Sequence, residues 1–201
     1  FFMQYDVIVV GGGPAGASAA YFNAIEGRKV LLLEKATFPR DKICGDGVTG
    51  KALGILDEMG LSEDIAHIKK ISCREVVLSS PNKTMLSIPI ASPDDPFTSF
   101  CIEREIFDNL LYEKAVATVL ENGGKILNEK VSEPLIEDGV IVGVVAKKEE
   151  YRSALIIGAD GFNGPISRYV MEQNEQPKQN RKHYSSAVRE YWEGVADNQG
   201  Q

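Results

Sequence analysis

A glycine-rich stretch near the start of the chain has the residue types and the spacing that bind phosphate groups. The sequence GGGPAG, residues 11–16, follows a β-branched run at residues 5–10 and precedes an alanine-rich stretch that ends at Gly27. A second apolar run, residues 29–33, ends in Glu34. This order predicts a parallel strand, a tight turn, a helix and a second strand, which form a nucleotide-binding βαβ unit.

The individual positions of the turn explain its chemistry. Gly11 allows a sharp turn after the strand, Gly13 lets a pyrophosphate approach the backbone, and Gly16 lets the helix pack closely. The unpaired N–H groups and the positive dipole end of the helix favour the phosphates. Glu34 can accept hydrogen bonds from both ribose hydroxyls and would repel a 2′-phosphate, which disfavours NADP. The pattern predicts a dinucleotide site, does not separate FAD from NAD, and leaves a purely structural βα turn as the alternative.

Composition excludes several classes of protein. The 201 residues are 43% hydrophobic and 25% charged, and 22 Lys and Arg against 29 Asp and Glu give a net charge of -7. This charge argues against nucleic acid as a partner, and it leaves open a peripheral membrane contact through an apolar patch. Three widely spaced cysteines and two histidines predict no disulfide framework and no metal site. A reducing cytoplasm is the expected setting.

The remaining chain alternates between helical and β patterns. Residues 37–50 read as a polar loop before a helix at 51–60, and the runs 72–79 and 84–90 read as an antiparallel hairpin. Further along, we expect a helix that follows residues 103–105 and runs to about 122, with one apolar face made of Ile106, Leu110, Leu111, Ala115 and Val119. We also expect strands at 125–131 and 152–157, a hairpin turning at Asp138-Gly139, and a helix at 163–171. Residues 172–182 read as a linker, and the alternation at 187–192 predicts a strand.

Four stretches together resemble one protein family. They are residues 11–16 with Glu34, residues 38–50 (FPRDKICGDGVTG), residues 102–110 (IEREIFDNL) and residues 158–168 (GADGFNGPISR). The combination resembles the N-terminal half of FAD-dependent oxidoreductases of the geranylgeranyl reductase type, which share a superfamily with aromatic hydroxylases and flavin halogenases.

The resemblance implies an α/β fold in two parts. A Rossmann-like FAD-binding domain, with a parallel sheet, helices and a β-meander, would take residues 1–70 and 100–181. An incomplete antiparallel substrate-domain sheet would take residues 71–99 and 183–201, with the flavin ring between the two parts. Family members are longer and carry a later Gly-Asp motif and a lipid-pocket segment, so we expect this chain to be an N-terminal portion.

The resemblance also implies the residues of the cofactor site. Arg104 would reach the FAD phosphate and ribityl region, Asp160 would meet ribityl hydroxyls or brace backbone N–H groups, and Cys44 is the candidate catalytic side chain beside the flavin. The alternative for Cys44 is a small apolar filler. Gly164 stands where the family usually has serine, and Arg168 matches an arginine of the reductases. The implied FAD-binding residues are Gly11, Gly13, Pro14, Ala15, Gly16, Glu34, Lys35, Arg40, Cys44, Gly45, Gly47, Arg104, Val131, Asp160 and Gly161.

The function implied by the resemblance is reduction of isoprenoid double bonds by hydride transfer from non-covalently bound, reduced FAD. The electron donor would be a reduced nicotinamide or a small iron–sulfur protein, and the substrate a lipid-like isoprenoid. A flavin monooxygenase or halogenase that acts on an aromatic-type substrate is the second hypothesis, and a nucleotide-binding fragment without activity is the third. The sequence leaves the oligomeric state open.

Overall fold

The computed structural model describes residues 4–90, 99–174 and 186–194. The chain divides into two compact units. The first comprises Phe1–Arg40 and Asp108–Ser186, and the second comprises Asp41–Phe107 and Ala187–Gln201.

The first unit is built on a four-stranded parallel sheet with the order β12-β1-β2-β8. Every side chain of β1 and β2 is buried, which explains why both sequence runs are apolar at consecutive positions. Strand β1 lies between β2 and β12, so the strand order reverses beside it, and ligands of such sheets bind at this point. The four strands are Val7–Val10 (β1), Val30–Leu33 (β2), Lys125–Leu127 (β8) and Leu155–Gly158 (β12).

Helices and a meander cover this sheet. The antiparallel meander β9-β10-β11 contributes Val131, Val144 and Ala146 to a core shared with Ile8 and Leu31 of the parallel strands. The helices are Pro14–Ile25 (α1), Arg104–Glu121 (α4) and Pro165–Gln173 (α5), and the first residues of α4 belong to the second unit. The meander strands are Val131–Glu137 (β9), Val140–Ala146 (β10) and Glu149–Arg152 (β11). The α/β fold class predicted from the sequence is confirmed.

The second unit contains short antiparallel strands and two helices. One sheet has the order β3-β7-β4, and a separate hairpin pairs β5 with β6. The elements are Gly47–Thr49 (β3), Gly50–Glu58 (α2), Ser62–His67 (α3), Ile71–Ser72 (β4), Glu75–Ser79 (β5), Met85–Pro89 (β6) and Ser99–Cys101 (β7).

The antiparallel hairpin predicted for the 71–99 region is confirmed, although its first run belongs to two sheets. Ile71–Ser72 pairs with Ser99–Cys101, whereas Glu75–Ser79 pairs with Met85–Pro89. The predicted loop at 37–50 is also shorter, because Gly47–Thr49 forms a ladder with Ser99–Cys101.

The strand predicted at residues 187–192 is wrong. These residues have no strand conformation, since no neighbouring strand among the described residues offers them a ladder. Their polar side chains make the contacts instead. Arg189 and Tyr191 bond to the carboxylates of Asp41 and Asp46.

Three smaller predictions are also corrected. Phe107, rather than Ile106, begins the buried face of α4, and Ile106 is exposed. The strand predicted at 125–131 ends at Leu127. The strand predicted at 152–157 is interrupted after Arg152 and continues as Leu155–Gly158. The predicted 172–182 linker falls largely outside the described residues.

The boundaries predicted for FAD-binding and substrate domains stay a prediction, and residues 41–70 belong to the second compact unit.

Candidate functional site

The glycine-rich turn of the first unit packs against the loop that follows β12. Gly11 has φ +101°, and a Cβ there would lie 2.3 Å from the carbonyl oxygen of Ala159. A Cβ on Gly16 would lie 1.7 Å from the Gly11 carbonyl oxygen. The Ala159 N–H donates a 2.8 Å hydrogen bond to the Val10 carbonyl. The structure therefore brings two of the sequence motifs, GGGPAG and GADG, together at one end of the parallel sheet.

Glu34 spans the turn with its carboxylate. One oxygen accepts a 2.5 Å hydrogen bond from the Gly12 N–H, and the other accepts a 2.7 Å bond from the Ala36 N–H. Gly12 has no room for a side chain, because a Cβ there would lie 2.8 Å from the Tyr112 ring and 3.1 Å from the Glu34 Cβ. Burial and the negative charge of Glu34 raise the pKa of Tyr112. The structure thus gives Glu34 a bracing role that the sequence did not predict. Its role as a ribose acceptor stays a prediction.

Gly13 faces a cation. Among the described residues, a Cβ on Gly13 would have one atom within 4 Å, the Arg40 Nη2 at 3.3 Å. Helix α1 begins at Pro14, directly after Gly13, and Gly13 has no side chain that could cap the first N–H groups of the helix. A glycine, a helix N-terminus and an arginine together make a cradle that fits an anionic pyrophosphate.

Arg40 is held in place from two sides. Its guanidinium lies 3.3 Å from the carboxylate of Asp108, whose side chain is fully buried. It also lies over the Phe38 ring, 4.8 Å from the centroid, and Phe38 stacks on Tyr112 at 4.1 Å with nearly parallel planes. A stacked, ion-paired guanidinium loses little further freedom when it binds an anion.

Asp160 caps a helix. Its carboxylate accepts hydrogen bonds from the N–H of Ile166 at 2.7 Å and from the N–H of Ser167 at 3.3 Å, and it also bonds the Ser167 hydroxyl. A Cβ on Gly164 would lie 2.0 Å from the Asp160 Cγ. Of the two expected roles for Asp160, the structure shows the bracing of backbone N–H groups. It also explains Gly164, because the carboxylate occupies the space of a side chain at that position.

The other predicted residues of the first unit are Pro14, Ala15, Lys35, Val131 and Gly161. Lys35 and Ala15 are exposed, and Pro14 is the first residue of α1. Val131 is buried in the core and begins β9. Gly161 has φ +76°, a conformation that favours glycine.

The CGDG loop of the second unit centres on Asp46 and Cys44. Asp46 is buried with φ +60°, and its carbonyl accepts a 3.0 Å hydrogen bond from the Ile102 N–H. The groups that act most on the exposed Cys44 thiol are the backbone N–H of Asp46 and the guanidinium of Arg104. These groups lower the pKa of the Cys44 thiol, against a smaller opposing effect of burial.

The two glycines of this loop lie beside open space. No atom of the described residues would lie within 4 Å of a Cβ at Gly45 or at Gly47. The predicted residues Cys44, Gly45, Gly47 and Arg104 thus form one group within the second unit.

The other two cysteines also lie in the second unit. The sulfur atoms of Cys73 and Cys101 are 3.4 Å apart, and both are free thiols. Burial, together with the neighbouring Cys73 thiol and the charge of Asp46, raises the pKa of Cys101 to about 11.

Sequence reasoning missed several residues that support these groups. A stacking or ion-pairing partner far away along the chain leaves no local pattern, and the only sequence signal for Asp46 was its place in CGDG. The missed residues are Gly12, Phe38, Asp46, Asp108, Tyr112, Arg189 and Tyr191.

Residues 4–90, 99–174 and 186–194 contain neither a membrane-spanning helix nor a metal-binding cluster. No helix there has both the length and the apolar content to cross a membrane. No cluster of three or more His, Cys, Asp or Glu side chains there could hold a metal ion.

Comparison with known proteins identifies relatives across most of the chain. Residues 4–190 match the family model described as FAD binding domain. The menaquinone reductase of Mycobacterium tuberculosis is 54% identical over 167 residues, which cover 81% of this chain and 39% of that protein. Digeranylgeranylglycerophospholipid reductase 1 of Methanopyrus kandleri is 33% identical over 172 residues, which cover 83% of this chain and 42% of that protein.

Solved structures show the same fold. A geranylgeranyl bacteriochlorophyll reductase-like protein of Thermoplasma acidophilum superposes with a TM-score of 0.67 at 26% identity, covering 83% of this chain and 41% of that one. A flavin-dependent brominase superposes with a TM-score of 0.67 at 30% identity, covering 83% of this chain and 40% of that one. The chain therefore spans about two fifths of the length of these relatives.

Proposed function

The chain belongs to the FAD-binding domain family, and on that basis we propose that its protein is an FAD-dependent reductase of isoprenoid, geranylgeranyl-type double bonds. FAD is the cofactor of the family, and flavin-dependent relatives of both the reductase and the brominase type share the fold. The observation that carries the cofactor assignment is the Gly13 position, which is open except for the Arg40 guanidinium 3.3 Å away.

The residues of the first unit account for binding of the nucleotide. Gly13 and the start of α1 would hold the pyrophosphate, with Arg40 supplying the positive charge. Glu34 would accept the ribose hydroxyls with lone pairs left over from its bonds to Gly12 and Ala36. When bound, FAD supplies the hydride-transfer chemistry of the reaction.

The second unit supplies a candidate proton donor. Reduction of a C=C bond adds a proton to the carbon beside the one that receives hydride. The Cys44 thiol is exposed, and its pKa is lowered by the Asp46 N–H and by Arg104, so it gives up a proton more readily than an ordinary cysteine does. We therefore assign Cys44 as the candidate donor of the proton that the substrate carbon receives.

The choice of a reductase is supported by the two reductases that match most of this chain, both named for lipid-like substrates. The alternative is a halogenase or monooxygenase, and it is supported by the brominase structure at 30% identity. The donor of electrons in the reductase hypothesis would be a reduced nicotinamide or an iron–sulfur protein.

Two measurements test this proposal. Titration of the chain with FAD should give a bound flavin that acid precipitation releases into the supernatant, and a flavin retained in the pellet would contradict non-covalent binding. In the full-length protein, photoreduced FAD should be reoxidised without oxygen by a geranylgeranyl lipid. Reoxidation that requires oxygen, with bromide incorporated into an aromatic acceptor, would establish the halogenase instead.

A further inference from the structure

The segment of residues 187–194 is anchored to the CGDG loop by two side chains of the second unit. Arg189 Nη2 lies 2.6 Å from the Asp41 carboxylate, and Arg189 Nη1 lies 3.3 Å from the Asp46 carboxylate. The Tyr191 hydroxyl donates a 2.7 Å hydrogen bond to the other Asp46 oxygen. Arg189 also donates to the Lys42 carbonyl at 3.2 Å and lies over the Tyr191 ring at 4.5 Å.

Asp46 needs these partners. Asp46 is buried, with 8% of the residue exposed, and a buried carboxylate is unfavourable unless charged or hydrogen-bonding groups compensate it. Its φ of +60° lies in the left-handed region, which aspartate adopts more readily than most residues but still at some cost in free energy. The backbone N–H of Asp46 is the main group that lowers the pKa of the Cys44 thiol, two positions earlier in the loop. The backbone geometry that serves Cys44 therefore depends on how the Asp46 side chain is held.

We propose that Arg189 and Tyr191 are positioning residues that, by holding the Asp46 side chain, fix the conformation of the CGDG loop that carries Cys44. Neither residue touches the Cys44 thiol in the described contacts, so they would act through the loop. The role of this loop in the reaction rests on the proposed function. The contacts of Arg189 and Tyr191 with Asp41 and Asp46 do not depend on it, because they involve no flavin.

The charge of Arg189 complicates a simple test. The thiolate of Cys44 is influenced by Arg104, and the same loop carries Asp41, Asp46 and Lys42 beside Arg189. Removing the Arg189 cation would by itself disfavour a thiolate through space. Tyr191→Phe avoids this difficulty, because it removes one hydrogen bond to Asp46 and changes no charge at neutral pH.

The test is the rate at which iodoacetamide alkylates Cys44 in the 201-residue chain, measured by mass spectrometry of its peptide between pH 6 and pH 10. We expect Tyr191→Phe and Arg189→Gln each to slow alkylation at pH 7.5 by about threefold or more and to move the pH profile upward, since thiolate reacts and thiol does not. Arg189→Lys should recover part of the loss. Val188→Ala is the matched control, because Val188 lies in the same segment and is 88% exposed.

Each outcome decides the proposal. Slower alkylation in Tyr191→Phe with unchanged circular dichroism and unchanged Val188→Ala supports it. An effect of Arg189→Gln alone, with Tyr191→Phe like the wild type, overturns it in favour of a through-space charge effect. Wild-type rates in both variants overturn it as well. FAD titration of the same variants is read separately, so that a chain that fails to bind FAD refutes the proposed function without deciding the role of Arg189 and Tyr191.

Discussion

The guanidinium of Arg40 lies 3.3 Å from the carboxylate of Asp108, a side chain that is fully buried. A buried carboxylate that loses a cationic partner is strongly destabilising, whereas a pair that is intact mainly fixes geometry. Here the geometry that is fixed is that of the cation facing Gly13. The ion pair thus links folding of the first unit to its capacity for an anion.

Replacing Arg40 should therefore affect both stability and binding. We expect Arg40→Ala to lower the free energy of unfolding by on the order of 3 kcal/mol and to weaken FAD binding at least tenfold. Arg40→Lys should restore more of the stability than of the affinity, since lysine keeps the charge and loses the planar stacking on Phe38. Urea unfolding with and without FAD measures both effects, and unchanged FAD affinity in a folded Arg40→Ala chain would remove Arg40 from the cofactor site.

Substitutions at Gly13 and at Gly16 should have different effects, the first on FAD binding and the second on folding. A Cβ at Gly13 meets only the end of the flexible Arg40 side chain, so Gly13→Val should fold and fail to bind FAD. Gly16→Ala should fail to fold normally, because its Cβ would lie 1.7 Å from a backbone oxygen. Circular dichroism and flavin fluorescence distinguish the two, and normal FAD binding by Gly13→Val would contradict the pyrophosphate assignment.

Glu34→Ala should be milder than Gly13→Val in its effect on FAD binding. It removes the ribose acceptor, and it also removes the bonds to the Gly12 and Ala36 N–H groups, so a loss of roughly 1–3 kcal/mol in affinity should accompany some loss of stability. Isothermal titration with FAD gives the affinity, and thermal unfolding gives the stability. If Glu34→Ala abolished binding as completely as Gly13→Val while remaining folded, the division of roles between ribose and pyrophosphate would be wrong.

Asp160 and Gly164 should behave as one unit. Asp160→Ala removes the acceptor for the first N–H groups of α5, which should cost about 1–2 kcal/mol of stability, as other caps do. Gly164→Ala should cost a similar amount, because its Cβ would displace the same carboxylate. The double variant should then be little worse than either single one. A double-mutant cycle in urea measures this, and strictly additive losses would show that Gly164 is constrained by something other than Asp160.

Local patterns predicted the parts of the fold that depend on neighbouring residues. The βαβ unit followed from two fully apolar runs around a glycine-rich turn, and the hairpin at Asp138-Gly139 has the positive φ values, +49° and +79°, that this dipeptide favours. The next turn of the meander adopts similar angles at Lys147 and Lys148, φ +46° and +71°, where the residue types give no such signal. Tertiary pairing of the strands decides that turn.

The supports of the site could not be predicted because they join distant parts of the chain. The glycine-rich turn can be predicted because the glycines themselves are visible in the sequence. Tyr112 stacks on Phe38 and leaves no room for a side chain at Gly12, but the residues around Tyr112 form no pattern that indicates this. The alternation at residues 187–192 predicted a strand, but alternation shows only that successive side chains differ in polarity. In the structure Arg189 of this segment forms ion pairs with Asp41 and Asp46, and the segment joins no β-ladder among the described residues. The assignment of the cofactor residues as a set stays a prediction.

Cys44 and Cys101 should react in a fixed order as pH rises. The Asp46 N–H and the Arg104 guanidinium lower the pKa of Cys44, whereas burial and the adjacent Cys73 raise the pKa of Cys101 to about 11. Because only the thiolate reacts, Cys44 should be alkylated readily near neutral pH. At pH 8, three units below about 11, only about one Cys101 thiol in a thousand would be ionised. Residue-resolved mass spectrometry after short iodoacetamide pulses at pH 7, 8 and 10 should therefore show Cys44 modified first and Cys101 only at the highest pH. Arg104→Gln should delay Cys44 and leave Cys101 unchanged, and a Cys44 no faster than a cysteine in urea-unfolded chain would contradict the lowered pKa.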